Sequence, residues 1–148
     1  MSGTVEQIAI TAVPRALPTR APRVRAEAGR GLEGEYHRSE QPESGEQITL
    51  IAAEALEGLR VDTGIELSHE ASRRNVLTRG VDLNALVGLR FKVGGVECEG
   101  IELCEPCNNL AKMTERGVLR GLVHRGGLRA SIVAGGEIAV GDPVRAKA

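Results

Sequence analysis

The chain has 148 residues, of which 41% are hydrophobic, and this length and composition suit one folded domain over 1–148. It carries 19 lysine and arginine residues against 20 aspartate and glutamate residues, and its aromatic residues are one Tyr and one Phe. With no excess positive charge for phosphates and few rings on which bases could stack, nucleic-acid binding is not expected as the main role.

No apolar run approaches the ~20 residues that a membrane span needs, and residues 1–10 lack the pattern of a signal peptide. We therefore expect a cytoplasmic protein without a membrane partner. Its three cysteines are Cys98, Cys104 and Cys107. An odd number in a chain that is not secreted favours free or reactive thiols over a disulfide framework.

Apolar or alternating segments predict several strands in the first half of the chain. In chain order they are 7–13, 22–28, 48–51 and 74–78. Between the second and third strands, the charged and glycine-rich segment 29–45 predicts a long surface loop. After the third strand, residues 52–57 predict a helix that ends at Gly58.

The second half predicts more strands and two short helical segments. Asp82 is the predicted N-cap of a helical turn over 83–87. The predicted strands are 89–93 and 96–103, which form a hairpin, and then 128–134, 137–140 and a last strand near 144. Residues 107–116 have helical character. Strands scattered between short helices predict a mainly β, barrel-like fold with a few short helices.

Cys104-Glu105-Pro106-Cys107 is the sharpest local motif, because it follows a predicted strand and opens a predicted helix. A thiol at a helix N-terminus faces unpaired N–H groups and the positive end of the helix dipole, which stabilise the thiolate. A thiolate attacks sulfur and ligates soft metals. Cys107 is therefore the candidate catalytic residue and metal ligand, with Cys104 in support.

Three other interpretations of this motif remain open. The cysteines could belong to a structural zinc site, although zinc normally needs four ligands and His37, His69 and His124 show no ligand spacing. They could form a thiol–disulfide switch, although the β-α-β context of such switches is missing. They could also be small buried apolar residues, which is our interpretation of Cys98.

A second candidate site comprises Arg73, Arg74 and Asn75. Arginine forks bind phosphates bidentately, and an asparagine amide can both donate to and accept from a polar heterocycle. Arg125 beside Gly126 combines a basic side chain with backbone that can approach an anion closely. A solvated strand edge would also explain the first group, and a hairpin turn would explain the second.

The motifs occur in the order of the molybdenum cofactor sulfurase C-terminal (MOSC) domain family, which the chain resembles from about residue 29 to residue 144. The similar segments are 31–37, 73–76, 80–83, 86–88, 105–107, 126–130, 135–138 and 141–142. The last three look like the family's closing glycine-rich hairpin. Where Glu35 stands, family members more often have Asp. The resemblance implies a β-barrel-like fold and a role in sulfur or molybdenum chemistry.

The resemblance also implies roles for individual residues. In the family, the cysteine that Cys107 matches ligates the molybdenum of a bound molybdopterin or carries sulfur as a persulfide. The arginine and asparagine that match Arg73 and Asn75 lie near the pterin and its phosphate, and Arg74 shares that role if it faces inward. His37, in the early glycine-rich segment, is a supporting residue. The implied cofactor is molybdopterin, and no pyridoxal phosphate site is expected.

Four functions are compatible with these residues. The favoured one is a molybdenum cofactor-associated sulfur carrier or cofactor-binding domain that uses Cys107, with molybdopterin, a molybdenum enzyme or a sulfur donor protein as its partner. A molybdenum-dependent reductase of N-hydroxylated compounds would need an external electron donor. A thiol–disulfide or structural metal module is the third, and a binding protein that has lost the chemistry is the fourth.

Overall fold

The computed structural model describes residues 2–40, 46–104 and 121–147. The strands are β1 Ser2–Ile10, β2 Thr19–Ala21, β3 Arg23–Glu27, β4 Gly31–Leu32, β5 Ile48–Ala52, β6 Val76–Arg79, β7 Arg90–Val93, β8 Val96–Leu103, β9 Leu128–Ala134, β10 Gly136–Ala139 and β11 Pro143–Ala146. The helices are α1 Ala53–Thr63, α2 His69–Ser72 and a 3-10 turn at Leu83–Leu86.

Seven of the described strands close into a barrel. Their order is β1-β11-β7-β8-β9-β5-β6, and β6 pairs again with β1 to complete the circuit. Strand β2 pairs with β1 outside this circuit, and β10-β3-β4 form a second, smaller sheet. The prediction of a mainly β, barrel-like fold with a few short helices is confirmed.

The barrel strands alternate between buried and exposed side chains, as the sequence pattern predicted. In β7, for example, Phe91 and Val93 point into the core while Arg90 and Lys92 face solvent. Apart from Phe91 and Cys98, the described core is aliphatic, and it includes Leu83 and Leu86 of the 3-10 turn. Close packing of many branched side chains thus replaces large aromatic rings as the source of buried apolar area.

One pair of neighbouring barrel strands is parallel. Leu50 of β5 pairs with Val76 of β6, and α1 and α2 lie in the connection between the two strands. A parallel pair requires a crossover of this kind, whereas the antiparallel neighbours can be joined by turns. The carboxyl ends of β5 and β6 therefore open on the same side of the barrel, where α1 begins.

The first predicted helix is longer than the sequence indicated. It continues through Gly58 and ends at Gly64, which adopts a left-handed φ of 77°. A Cβ at position 58 would overlap the Arg125 guanidinium, so this glycine makes room for a side chain that packs against the helix. The predicted helix end at Gly58 was wrong because a tertiary contact, not a cap, explains that glycine.

Part of the segment predicted as a surface loop is buried. Within 29–40, β4 pairs with β3, Leu32 is fully buried, and Glu35 is only 7% exposed. The surface-loop prediction is therefore wrong for these residues. The prediction failed because Glu35 is covered by residues from other parts of the chain, such as Asn75, which the local sequence does not reveal.

The closing glycine-rich segment is not a hairpin. Strand β9 pairs with β8 and β5 in the barrel, whereas β10 pairs with β3 in the smaller sheet. Gly135 lies between them, and a Cβ there would come within 2.7 Å of the Ala26 carbonyl oxygen. The chain crosses from one sheet to the other at this close approach.

Other element boundaries differ less. The first strand begins at Ser2 instead of residue 7, because its N-terminal part pairs with β11. The predicted hairpin of β7 and β8 is confirmed. Asp82 occupies the predicted N-cap of the 3-10 turn, but its side chain makes no capping hydrogen bond. The predicted helix over 107–116 lies outside the described residues. None of the described helices is long and apolar enough to cross a membrane.

Candidate functional site

The predicted Arg73-Arg74-Asn75 site lies where α2 ends and β6 begins. Ser68 caps α2 by accepting a hydrogen bond from the Ala71 N–H, and Arg73 ends the helix in a left-handed conformation with φ 63°. This sharp change of backbone direction sends the three consecutive side chains to different neighbours. Their roles can therefore be separated by their hydrogen bonds.

Arg74 is bound to backbone carbonyl oxygens. Its Nε donates to Gly126 O at 2.8 Å, and its two Nη atoms donate to Ser72 O and Cys104 O, both at 3.3 Å. The Cys104 N–H in turn donates to Gly127 O at 2.7 Å. Arg74 thus joins the end of β8 to the backbone that precedes β9, and this is a positioning role.

Asn75 is buried, and protein groups engage its amide. Its Oδ1 accepts from the Thr49 N–H and from Thr49 Oγ1, both at 3.0 Å. Its Nδ2 donates to Glu35 Oε2 at 2.7 Å and to Ala9 O at 3.4 Å. The amide therefore fixes the buried carboxylate of Glu35 against the ends of β5 and β1.

Glu35 is the buried acid of this site. Burial raises its pKa, and hydrogen bonds from the Thr11 backbone and from Asn75, together with the charge of Arg73, offset only part of that rise. Its second oxygen lies 4.0 Å from Nδ1 of His37, whose ring stacks against Tyr36 at a centroid distance of 4.0 Å. The early glycine-rich segment therefore contributes a carboxyl group and an imidazole to the site.

Two arginines act on His37 from different elements. Burial is the main cause that lowers the pKa of His37, and the positive charges of Arg129 and Arg73 lower it further, while Glu46 acts in the opposite direction. A neutral imidazole is therefore favoured near neutral pH. We call Arg73 and Arg129 the arginine pair.

Arg129 reaches this site from β9. It lies opposite Thr49 of β5, so both side chains leave the same face of the sheet. On the other neighbouring strand, β8, Glu102 lies opposite Arg129 but forms no ion pair with Arg129. Within the described parts of the chain, the Arg129 guanidinium has no hydrogen-bond or ion-pair partner. The arginine pair is consequently suited to hold an anionic group.

Arg125 and Gly126 have separate roles. Nη2 of Arg125 donates to Asp62 near the end of α1, while Gly126 supplies a carbonyl oxygen to Arg74. Arg125 also borders a cleft of about 510 Å³ at the carboxyl ends of β5 and β6. The cleft is lined by Ala52, Glu54, Ala55, Gly80, Val81, Asp82, Leu83, Asn84, His124, Arg125 and Gly127. Gly127 in this lining also accepts a hydrogen bond from the Cys104 N–H.

The cysteines differ in their surroundings. Cys98 is fully buried in β8, where burial raises the pKa of its thiol to about 12, so the interpretation of Cys98 as a buried apolar residue is confirmed. Cys104 is 3% exposed, and neither of these two thiols forms a disulfide. Cys107 lies outside the described residues.

In 2–40, 46–104 and 121–147, no three His, Cys, Asp or Glu side chains are grouped to hold a metal ion.

The structure therefore brings most of the predicted site residues together around Arg74 and Asn75, while the side chain of Arg125 turns towards α1. Sequence reasoning missed Arg129, Thr49 and the burial of Glu35. Arg129 could have been found from alternation, because Leu128 and Ala130 are buried and the residue between them must face outward. No local signal in the sequence identifies Glu35 as the partner of Asn75.

Comparisons with known proteins agree with the barrel architecture. The family model of the MOSC domain matches residues 18–145. The crystal structure of the YuaD protein from Bacillus subtilis superposes with a TM-score of 0.87 at 16% identity, covering 99% of this chain and 96% of that one. YiiM from Geobacillus stearothermophilus superposes with a TM-score of 0.76 at 14% identity, covering 99% of this chain and 75% of that one. YiiM from Escherichia coli superposes with a TM-score of 0.71 at 15% identity, covering 100% of this chain and 70% of that one. No curated protein sequence matches.

Proposed function

The chain belongs to the MOSC domain family, and we propose that it is a cytoplasmic domain that serves the molybdenum cofactor through the thiol of Cys107. In this proposal Cys107 carries sulfur as a persulfide or ligates molybdenum. Its partner is molybdopterin, a molybdenum enzyme or a sulfur donor protein. The arginine pair holds the anionic part of the cofactor. Arg74 fixes the backbone at the end of β8, and Asn75 fixes the side chain of Glu35.

The described residues fit the phosphate-bearing part of such a cofactor. Arg73 uses one of its five N–H donors on Ala16 O at 2.7 Å, and Arg129 has no partner in the described parts of the chain. Guanidinium groups of this kind bind phosphate oxygens in a bidentate manner. The bound cofactor would supply the molybdenum and its sulfur chemistry, while the protein supplies the anion-binding donors and a soft thiolate.

The observation that carries the proposal is the anchoring of Cys104. Arg74 binds its carbonyl oxygen and Gly127 binds its N–H, so the end of β8 is held on both sides. The preceding pairs along the ladder, Leu103–Leu128 and Glu102–Arg129, bring Arg129 to the same strand end. Covalent geometry limits the distance between the Cα atoms of residues 104 and 107 to about 11 Å. Cys107 follows this strand end by three residues in the sequence, which supports the proposal that its thiol works together with the arginine pair.

Sulfur transfer at this thiol needs no external oxidant. The Cys107 thiolate attacks the terminal sulfur of a donor persulfide, a new sulfur–sulfur bond forms at Cys107, and the donor's own sulfur–sulfur bond breaks. The donor leaves as a thiolate, and the transferred sulfur keeps its oxidation level. The reverse exchange with an acceptor returns Cys107 to the thiolate.

Metal analysis and intact mass of the native protein test this proposal. We expect wild-type protein from a cofactor-competent host to contain molybdenum, or to gain the mass of one sulfur atom after incubation with a cysteine desulfurase and cysteine. Cys107→Ser should lose both signals. Cys98→Ser is the matched control, because that thiol is buried and should leave either signal unchanged.

The outcomes separate the remaining alternatives. Stoichiometric molybdenum that survives purification would favour a reductase with an external electron donor over a sulfur carrier. A mass loss of two hydrogens that requires both Cys104 and Cys107 would favour a thiol–disulfide module. Protein with an intact Cys107 thiol that takes up neither molybdenum nor sulfur would contradict the proposed function.

A further inference from the structure

His69, the first residue of α2, is a buried histidine that the proposed function does not use. It is only 4% exposed, and α2 packs against β1 at this point. Nδ1 of its ring lies 2.8 Å from Nε2 of Gln7 in β1. Nε2 of the ring is buried and has no hydrogen-bond partner among the residues that the structure describes. A ring in such surroundings is sensitive to protonation, because the new charge would be held away from water.

The amide of Gln7 identifies which ring nitrogen carries the proton. Its Nε2 also lies 2.7 Å from Oε1 of Glu70, and a carboxylate only accepts hydrogen bonds. The amide atom that faces both groups is therefore the nitrogen, which donates one hydrogen to Glu70 and the other to His69. Nδ1 of His69 is consequently an acceptor, and the neutral ring carries its proton on Nε2.

The charged groups around His69 come from neighbouring elements. Oε2 of Glu70, in α2, pairs with Nε of Arg20 in β2 at 3.3 Å. Strand β1 has one charged residue, Glu6, and this side chain is paired with Arg79 of β6. Glu70 and Arg20 are therefore the charges that act on the ring.

The balance of these effects favours a neutral ring beside an ionised carboxylate. Burial is the main cause that lowers the pKa of His69; the backbone of Arg74 and the charge of Glu70 act in the opposite direction, and Arg20 lowers the pKa further. Burial raises the pKa of Glu70, but hydrogen bonds from its own backbone and from Gln7, together with Arg20, bring that pKa below its ordinary value.

A second proton on the His69 ring is incompatible with this arrangement. It would bind at Nδ1 and set an N–H group against the N–H₂ group of Gln7, so that two donors face each other. Turning the amide over would give His69 an acceptor, but it would also set the amide oxygen against the Glu70 carboxylate. Gln7 therefore loses a hydrogen bond in either case, and the contact between α2 and β1 is weakened.

The position of His69 is linked to the turn at Arg73 through Ser72. Oγ of Ser72 donates to the His69 carbonyl oxygen at 2.6 Å and accepts from the Arg74 N–H at 3.3 Å. Arg73 lies between these two bonds and ends α2 in the left-handed conformation. The backbone that directs Arg73 and Arg74 to their partners thus depends on how α2 is held.

We propose that His69, Gln7 and Glu70 form a proton-sensitive contact that holds α2 on β1 near neutral pH and releases it in acid, which loosens the turn at Arg73. His69 acts in this inference as a positioning residue. Because its folded pKa is lowered, the stabilisation is fully present above the ordinary value of 6.5 and is lost as the pH falls from 6.5 through the folded pKa. The inference goes beyond the proposed function and does not depend on Cys107, molybdenum or sulfur.

Nuclear magnetic resonance of the imidazole nitrogens tests the contact in the wild-type protein without any substitution. We expect the Nε2–H tautomer of His69 at pH 7 and a titration midpoint below 6.5. An Nδ1–H tautomer, or a midpoint at or above 6.5, would overturn the inference.

Hydrogen exchange of the backbone amides of residues 72–75, corrected for the intrinsic effect of pH, measures the release of α2. Below pH 6.5 we expect their protection in the wild type to fall by up to about tenfold for each pH unit. His69→Asn should remove this response, because its Oδ1 remains an acceptor for Gln7 but is not protonated in this range.

His124→Asn is the matched control, since it makes the same change at an exposed histidine whose left-handed backbone suits asparagine. It should keep the wild-type response. The same pH dependence in wild type and His69→Asn, or loss of the response in His124→Asn as well, would contradict the inference. Neither readout involves Cys107, so failure of the proposed function would leave both results unchanged.

Discussion

At the scale of single residues, neighbouring side chains of the site have different hydrogen-bond partners and therefore different roles. Arg74 donates to three carbonyl oxygens and Asn75 bonds to Thr49 and Glu35, so both act on the protein itself. Within the described ranges Arg129 has no partner and the Arg73 side chain donates only to Ala16 O, so these are the two side chains proposed to bind a ligand. A substitution at Arg74 or Asn75 would therefore leave buried backbone or carboxyl groups unsatisfied, which costs more than the loss of a surface contact.

The buried carboxyl group of Glu35 gives a pH-dependent prediction. Burial raises its pKa above the ordinary value of 4.5, so between the unfolded and folded pKa values the folded state binds a proton that the unfolded state has released. The stabilisation from protonated Glu35 is complete below pH 4.5 and is lost as the pH rises through the folded pKa. We expect Glu35→Gln, which is neutral throughout, to remove this loss and to raise the free energy of unfolding at pH 7.

Urea unfolding from pH 4 to pH 8 measures this effect. The gain at pH 7 should be about 1.4 kcal/mol for each unit by which the pKa of Glu35 is raised. Glu33→Gln is the control, since it makes the same chemical change at an exposed side chain two residues away. Parallel stability curves for wild type and Glu35→Gln over this range would show that Glu35 does not carry the buried proton.

At the scale of elements, the arrangement depends on how β8, β9 and β5 meet. Gly127 precedes β9 with a φ of 110°, and its carbonyl oxygen receives the Cys104 N–H. A Cβ at this position would overlap the carbonyl oxygen of Leu50. Two requirements, a positive φ and a close approach to β5, therefore select glycine here.

We predict that Gly127→Ala is among the most damaging single substitutions in the barrel. The methyl group forces a backbone shift in β5 and a strained conformation at residue 127, with an expected loss of about 3 kcal/mol in the free energy of unfolding. Gly95→Ala, in the β7–β8 turn, is the control because its Cβ meets no atom within 4 Å. If urea unfolding gave equal stabilities for both variants, the close packing of β9 on β5 would be refuted.

At the scale of the whole molecule, the sequence predicted the barrel better than it predicted the site. Alternation in β7 and β8 located a hairpin because the two strands are neighbours in the sequence and pair directly with each other. Glu35 and Asn75 are 40 residues apart, and Gly58 accommodates a side chain 67 positions later, so neither could be interpreted from its neighbours. Local periodicity specifies which face of a strand is buried, whereas site residues are brought together by strand order and crossovers.

The MOSC motifs include Arg74 and Gly126, which are joined by a hydrogen bond. The resemblance did not separate side chains that position the backbone from those proposed to bind a ligand. That distinction required the hydrogen bonds of Arg74. It also required the ladder between β8 and β9, which places Arg129 beside the strand end that leads to Cys107.

The role of Cys107 is tested by the rate at which each cysteine is alkylated as a function of pH, read from peptide masses of the native protein. We expect Cys107 to react rapidly with a thiol pKa below the ordinary ~8.5, because in the proposed site cationic side chains favour the thiolate. Cys98 and Cys104 should react only after unfolding, since both are buried. A Cys107 that reacts as slowly as Cys98, or that titrates at the ordinary value, would contradict the account.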